Sequence, residues 1–273
     1  MTEAVHHGLK YEYRVVDCLE DEFQGRSLSS IIDEARSLGF AALNITHPFK
    51  QEVIEYLDEL SAAATEIGAV NLVLLRDDKL RGENTDWTGF LTGVKEGLTG
   101  LETYNVVQFG AGGAGAATAY ALLKFGVINL AIFDLDFAKA EALAEHYQRL
   151  FTNARVTALL STEINKALKT SDGVVQATPV GMATLPGVPF DLAQVPQTAW
   201  VADVIYRPFE TQLIIQARDS GHAVLDGGLM AVGQAAESFR LITKVEPDEL
   251  RMRAHFLQLL NDDSNLPQLR GLA

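Results

Sequence analysis

One cysteine, Cys18, occurs in 273 residues. That excludes an internal disulfide framework and a paired-thiolate zinc site, and it fits a reducing, cytoplasmic setting. Cys18 reads as a structural or surface thiol. Basic residues are also scarce: 22 Lys and Arg stand against 36 Asp and Glu, for a net charge of −14. Nucleic acid and an anionic membrane surface both require a basic footprint, so neither is the main partner. No apolar run approaches the roughly 18 uninterrupted residues of a membrane span. The opening MTEAVHHGLKYEYR lacks a basic region followed by an apolar one and predicts no signal peptide. The six histidines form no H-E-x-x-H pair, so metal catalysis is not indicated. The acidic run Glu20-Asp21-Glu22 reads as a solvated turn. The apolar share, 48%, is that of a globular protein, and the length suits one large domain or two modest ones.

The chain alternates strand-like and helix-like pieces, with no repeat and no low-complexity tract. Strands are predicted over Tyr11–Val16, Ala41–Ile45, Ala69–Leu75 and Leu80–Glu83, with a turn at Arg76–Lys79. Helices are predicted over Ser27–Leu38, Gln51–Ala64 and Thr88–Glu96. Leu98–Thr103 reads as a boundary. Beyond it, strands at Asn105–Phe109, Asn129–Phe133, Val156–Leu159, Gly173–Gln176 and Trp200–Ile205 alternate with helices at Ala114–Phe125 and Phe137–Leu150. That alternation predicts an α/β fold with a parallel sheet covered on both faces. Helices at Gly233–Ile242 and Leu250–Leu260 close the chain, which reads as frayed from about Asp262. Trp87 and Trp200 read as packing residues.

The run Gly110-Ala111-Gly112-Gly113-Ala114-Gly115 contains G-x-G-x-x-G at Gly110, Gly112 and Gly115. It follows an apolar strand, opens a helix, and leads to a second strand ending at Asp134, 19 residues after Gly115. This is the context a dinucleotide requires. The first glycine permits the turn, the second lets a pyrophosphate approach the backbone, and the third lets helix and strand pack closely. The helix N-terminus supplies free N–H groups and partial positive charge. A carboxylate at Asp134 accepts from ribose hydroxyls and repels a 2′-phosphate, and Leu135, Asp136 and Phe137 provide no arginine for that phosphate. The expected cofactor is NAD. A tight packing turn without ligand is the alternative explanation of the glycines.

A second constellation lies earlier. Asn44-Ile45-Thr46-His47-Pro48-Phe49-Lys50 places hydroxyl, proline turn and lysine at the end of a strand, where open α/β sheets hold ligands. Gly68-Ala69-Val70-Asn71 and Glu83-Asn84-Thr85-Asp86 flank the following hairpin. If Lys50 and Asp86 meet, the carboxylate orients the ammonium and the pair can move a proton at an alcohol. Spacing alone is equally met by a surface salt bridge. His47 adjoins Lys50 in sequence, but the Pro48 turn points it elsewhere.

NITHPFKQ, GAVN, ENTDWTGF, GAGGAG, QATPVGM, ADVIYRPFETQL and DGGLMAVGQAAESF, in that order, resemble the shikimate dehydrogenase family, and within it the NAD-preferring quinate/shikimate dehydrogenases. The likeness spans about Met1 to Phe256. It implies two domains: a discontinuous α/β catalytic domain (1–100 and 229–273) and a Rossmann-like dinucleotide-binding domain with a parallel sheet (101–228). It implies Lys50 as general acid/base with Asp86 as its partner. Thr46, Asn71, Tyr206 and Gln234 match substrate contacts, for a cyclohexane or cyclohexene carboxylate. Thr178, Met182, Gly228 and Met230 match loops beside the cofactor, with Gly110 to Gly115 and Asp134. Thr211 belongs to the run at the domain junction. Where NADP-using members carry Asn-Arg-Thr, this chain has Asp134, Leu135 and Asp136. Members are monomers or homodimers, and an aminoshikimate or related polyol dehydrogenase fits the same motifs.

Two departures stand out. Gln176 replaces a common asparagine. The family's first strand and Ser-x-Ser/Thr-Pro loop, which hold the substrate carboxylate, have no counterpart, so the chain is expected to be about one strand and loop short at its start. Loss of that anchor leaves open a non-catalytic NAD-binding or regulatory homologue.

Overall fold

The computed structural model describes residues 1–18, 23 and 25–265. The expected acidic turn at residues 20–22 lies outside the described residues, as does the end of the expected fraying, 266–273.

The first part of the chain runs α1 (Thr2–His6), α2 (Leu28–Ser37), β1 (Ala42–Asn44), a 3-10 turn at Glu52–Tyr56, β2 (Glu59–Leu60), α3 (Ala62–Ile67), β3 (Leu72–Arg76), β4 (Lys79–Glu83) and α4 (Asp86–Gly97). Its four strands form one sheet in the order β1-β3-β4-β2. Ser27 caps α2 by accepting from Ser30 N–H, and Ser61 caps α3 by accepting from Ala64 N–H. Asp77 and Asp78 both take left-handed backbone, which closes the β3–β4 hairpin with two residues, as a type I′ turn does.

The second part runs β5 (Asn105–Phe109), α5 (Gly113–Phe125), β6 (Asn129–Phe133), α6 (Phe137–Leu150), β7 (Arg155–Ala158), α7 (Ile164–Leu168), β8 (Gly173–Gln176), β9 (Trp200–Asp203), α8 (Gln212–Asp219) and β10 (Val224–Leu225). Its six strands form a wholly parallel sheet in the order β10-β9-β8-β5-β6-β7. Read from β7, this is the 3-2-1-4-5-6 order of the Rossmann fold. The order reverses between β5 and β8, where such sheets open a crevice for ligands. Apolar, small-residue α5 is buried against this sheet. Trp200 is also buried, and its indole donates to the Glu102 carbonyl.

Helices α9 (Gly227–Thr243) and α10 (Glu249–Asn265) bring the chain back to the first sheet's half. α4 and α9 cross at backbone contact: a Cβ on Gly89 would lie 2.5 Å from Met230 O, and one on Gly233 would lie 2.8 Å from Gly89 Cα. Arg76 donates to the carbonyls of Leu241 and Ile242. Arg251 of α10 holds Glu3 of α1 through two nitrogens.

Two sequence expectations need correction, and α8 is an addition to them. Gln51–Ala64 is not one helix. Its middle turns outward at Leu57, Asp58 accepts from Leu80 N–H, and β2 pairs with β4. Tyr11–Val16 forms no strand. Tyr13, Val15 and Val16 are exposed, and the segment is held by the Tyr13 hydroxyl accepting from Asn44 and by Arg14 over Phe40. α8 was not expected, although Thr211 caps it through Ile214 N–H.

Candidate active site

The pair suggested by spacing meets. Lys50 Nζ donates to Asp86 Oδ2 at 2.7 Å, with side-chain exposures of 19% and 8%. An ordinary surface salt bridge is thereby set aside. Asp86 sits in the first turn of α4, whose start is fixed by Asn84: its side-chain oxygen accepts from the N–H groups of Asp86 and Trp87. The Asn84 amide in turn donates to Ala69 O. Asn84 lies within the ENTDWTGF run, but the sequence does not show that its side chain fixes the start of α4.

Asn71, at the entry to β3, donates one amide hydrogen to the other Asp86 oxygen at 2.9 Å and the second to Thr85 Oγ1 at 2.9 Å. Its carbonyl accepts from Thr85 N–H. Thr85 also meets Ser238 of α9. Gln234 lies one turn earlier on α9, half-buried, with its amide on Ala231 O and its backbone against Gly89. Among the described residues, Thr46 and Tyr206 do not join this network. They stand exposed just beyond β1 and β9, and His47 is exposed beside Thr46.

The glycine turn faces this pair. Gly110 has φ 105°, and a Cβ there would lie 2.5 Å from Ala177 O. A Cβ on Gly115 would lie 2.2 Å from Gly110 O. Around Gly112 the space is open, as close approach of a ligand requires. Buried Gln108 fastens the turn, donating to the carbonyls of Gly110 and Gly115 and accepting from Thr118. Ala111 N–H is committed to Asp134 Oδ2, while Asp134 Oδ1 accepts from Asp136 N–H. The free helix-start donors are therefore those of Gly113, Ala114 and Gly115. Leu135 is 94% exposed, and Lys139 pairs with Asp136 at 4.0 Å.

Across the crevice, Gln176 donates to Thr178 Oγ1 and Val180 O and accepts from Thr178 N–H, so it holds the loop that leads to Met182. Asp203 closes the neighbouring loop, accepting from Ile205 N–H and Thr211 Oγ1. Its burial raises the carboxyl pKa to about 6. Gly228 and Met230 are buried in the first turns of α9, where Asp226 caps Gly228 N–H. No group of three or more metal-ligating side chains occurs among the described residues.

These features define a class: a two-domain α/β protein with a dinucleotide turn facing a partly buried lysine–carboxylate pair. A family model of the shikimate dehydrogenase substrate binding domain matches residues 1–73. A shikimate dehydrogenase (NADP+) of Pseudarthrobacter chlorophenolicus is 48% identical over 93% of this chain and 86% of its own. A quinate/shikimate dehydrogenase (NAD+) of Corynebacterium efficiens is 46% identical over 94% of this chain and 91% of its own. The structure of quinate dehydrogenase from Corynebacterium glutamicum in complex with NAD superposes with a TM-score of 0.86 at 43% identity, covering 94% of this chain and 92% of that one. The chain belongs to the shikimate dehydrogenase family.

Proposed function

We propose that this protein is an NAD-dependent quinate/shikimate dehydrogenase. It oxidises a ring hydroxyl of a cyclohexane or cyclohexene carboxylate to the 3-dehydro ketone, reversibly, in the cytoplasm. The observation that carries this reading is the Lys50–Asp86 pair, held 2.7 Å apart beside the start of α5. Residues 1–100 and 229–273 form the substrate half, and 101–228 the nucleotide half.

The relatives include both NADP and NAD enzymes. The NAD reading is supported by Asp134. Its carboxylate lies at the end of β6, tied to Ala111 N–H and Asp136 N–H. A 2′-phosphate there would meet negative charge, and Leu135 offers it no cation. The open space at Gly112 fits a pyrophosphate at the N-terminus of α5.

The start of α5 and Asp134 would hold NAD, which would supply a hydride acceptor for the carbon bearing the alcohol. Lys50 takes the hydroxyl proton and returns it in the reverse direction. Asp86 holds the lysine by one oxygen, and Asn71 holds Asp86 by the other. Thr46, Asn71, Tyr206 and Gln234 are the substrate contacts of this reading, Asn71 also bracing Asp86.

Purified protein supplied with NAD and quinate or shikimate should produce NADH absorbance. Tight NADH binding with no turnover of any cyclohexane carboxylate would overturn the enzyme reading in favour of a non-catalytic binder.

A further inference from the structure

We propose that Gly113 is a positioning residue for Lys50, keeping open the space in which the root of the lysine side chain sits against α5. The proposal rests on Lys50 being the proton-transfer group.

The dinucleotide fingerprint needs glycine at 110, 112 and 115; at 113 it uses only the backbone N–H, which any residue other than proline supplies, so it does not explain the missing side chain there. Backbone geometry does not require glycine there either, because Gly113 is absent from the residues with positive φ. Space does. A Cβ on Gly113 would lie 3.1 Å from Lys50 Cβ, 3.4 Å from Lys50 Cδ and 3.7 Å from Ala69 Cβ. The first distance is well inside ordinary carbon–carbon contact.

Neither wall can yield freely. On one side, the contact falls on the root of Lys50. The Lys50 carbonyl accepts from Val70 N–H at 2.7 Å, and its ammonium is held by Asp86. On the other side, α5 is pinned to the same half of the molecule seven residues later, two turns along the same face. There the Tyr120 hydroxyl donates to Glu66 Oε2 at 2.5 Å, and Trp87 packs edge-on to the Tyr120 ring at 5.2 Å. His146 of α6 also donates to the Glu66 carbonyl at 2.6 Å. A methyl at 113 therefore presses on the root of Lys50, and the contact is relieved only by a shift of a few tenths of an ångström there, since α5 is anchored two turns on at Tyr120.

The test is Gly113→Ala, a change that favours helix and so preserves the fold. Lys50 reactivity toward an amine-acylating reagent is read by peptide mass spectrometry against surface Lys169, and NAD affinity by calorimetry. Because misplacement of a reacting group by an ångström is worth up to about 100-fold, a shift of a few tenths of an ångström at the lysine root should lower kcat by about three-fold or more and change Lys50 labelling by about two-fold or more, with NAD Kd moving less than about two-fold. Unchanged labelling, or a loss of kcat matched by lost NAD affinity, would overturn the proposal. Labelling needs no turnover, so it decides the matter separately from the proposed activity. If Gly113→Ala does not accumulate as folded protein, Gly113→Ala/Lys50→Gly decides: recovery locates the clash at Lys50, and no recovery refutes it.

Discussion

Asn71 donates to the Asp86 oxygen that Lys50 leaves unused, so one carboxylate is gripped from two sides. Both amide hydrogens of Asn71 are committed to protein, the second to Thr85 Oγ1. Lys50→Ala should lower kcat by about 100-fold to 10,000-fold, the usual worth of general acid–base catalysis. Asn71→Ala should also lower kcat, with NAD affinity unchanged, because Asp86 loses its orienting partner. NADH absorbance and calorimetry would check both; full activity in Lys50→Ala refutes the assignment.

Asp134 should set the cofactor ratio. Asp134→Asn keeps a side-chain oxygen for a turn N–H while removing the charge that opposes a 2′-phosphate. The ratio of kcat/KM for NAD over NADP should fall. A ratio equal to the parent's would contradict the assignment.

Asp203 should make stability depend on pH. Burial raises its pKa from 3.8 to about 6 in the folded protein, so the folded state binds the proton more tightly. Its contribution is fully present below pH 3.8 and is lost as pH rises through about 6. Asp203→Asn removes the titrating group while giving up one of the two acceptor oxygens, so its melting temperature relative to the parent should shift in the variant's favour as pH rises from about 4 to 8. Thermal melts across that range test it, and a constant difference would count against it.

Glu3 behaves in the opposite sense. The Arg251 guanidinium holds its carboxyl at about 2, below the ordinary 4.5. That stability is present above pH 4.5 and is lost as pH falls through about 2. Glu3→Gln should cost about 2 kcal/mol at pH 7, the scale of a charged hydrogen bond. The gap to the parent should narrow on acidification, and a gap that widened would exclude this account.

Gly89→Ala should force α4 and α9 apart, since its Cβ would meet Met230 O and Gln234 N at 2.5 and 2.6 Å. Overpacking of this kind costs about 1–3 kcal/mol. Denaturant unfolding measures it; an unchanged midpoint would mean the crossing relaxes freely.

The nucleotide half was legible in the sequence because its strands are short apolar runs separated by glycine or helix caps. β5, β6, α6 and β8 fall on the expected residues. The first half was less so. Gln51–Ala64 carries helix-forming residues throughout, but pairing of Glu59 and Leu60 with β4 overrides local propensity. Tyr11–Val16 alternates like a strand yet finds no partner strand among the described residues. Lys50 and Asp86 could be given roles from motifs; Asn84 and Asp203 sit inside the same runs without a legible role, and Gln108 lies in none of them. Their work is to hold backbone, and a side chain's hydrogen bonds to main chain leave no spacing to read.

The return of α9 and α10 to the first sheet also governs the order in which the molecule can be completed. The Arg76 contact to Leu241 spans 165 residues. Ribosomes add roughly 5–20 residues per second, so Arg76 emerges on the order of 10–30 s before its partner exists. The six-stranded sheet, closed by residue 225, can finish first. The half that holds Lys50 starts earliest and is sealed last.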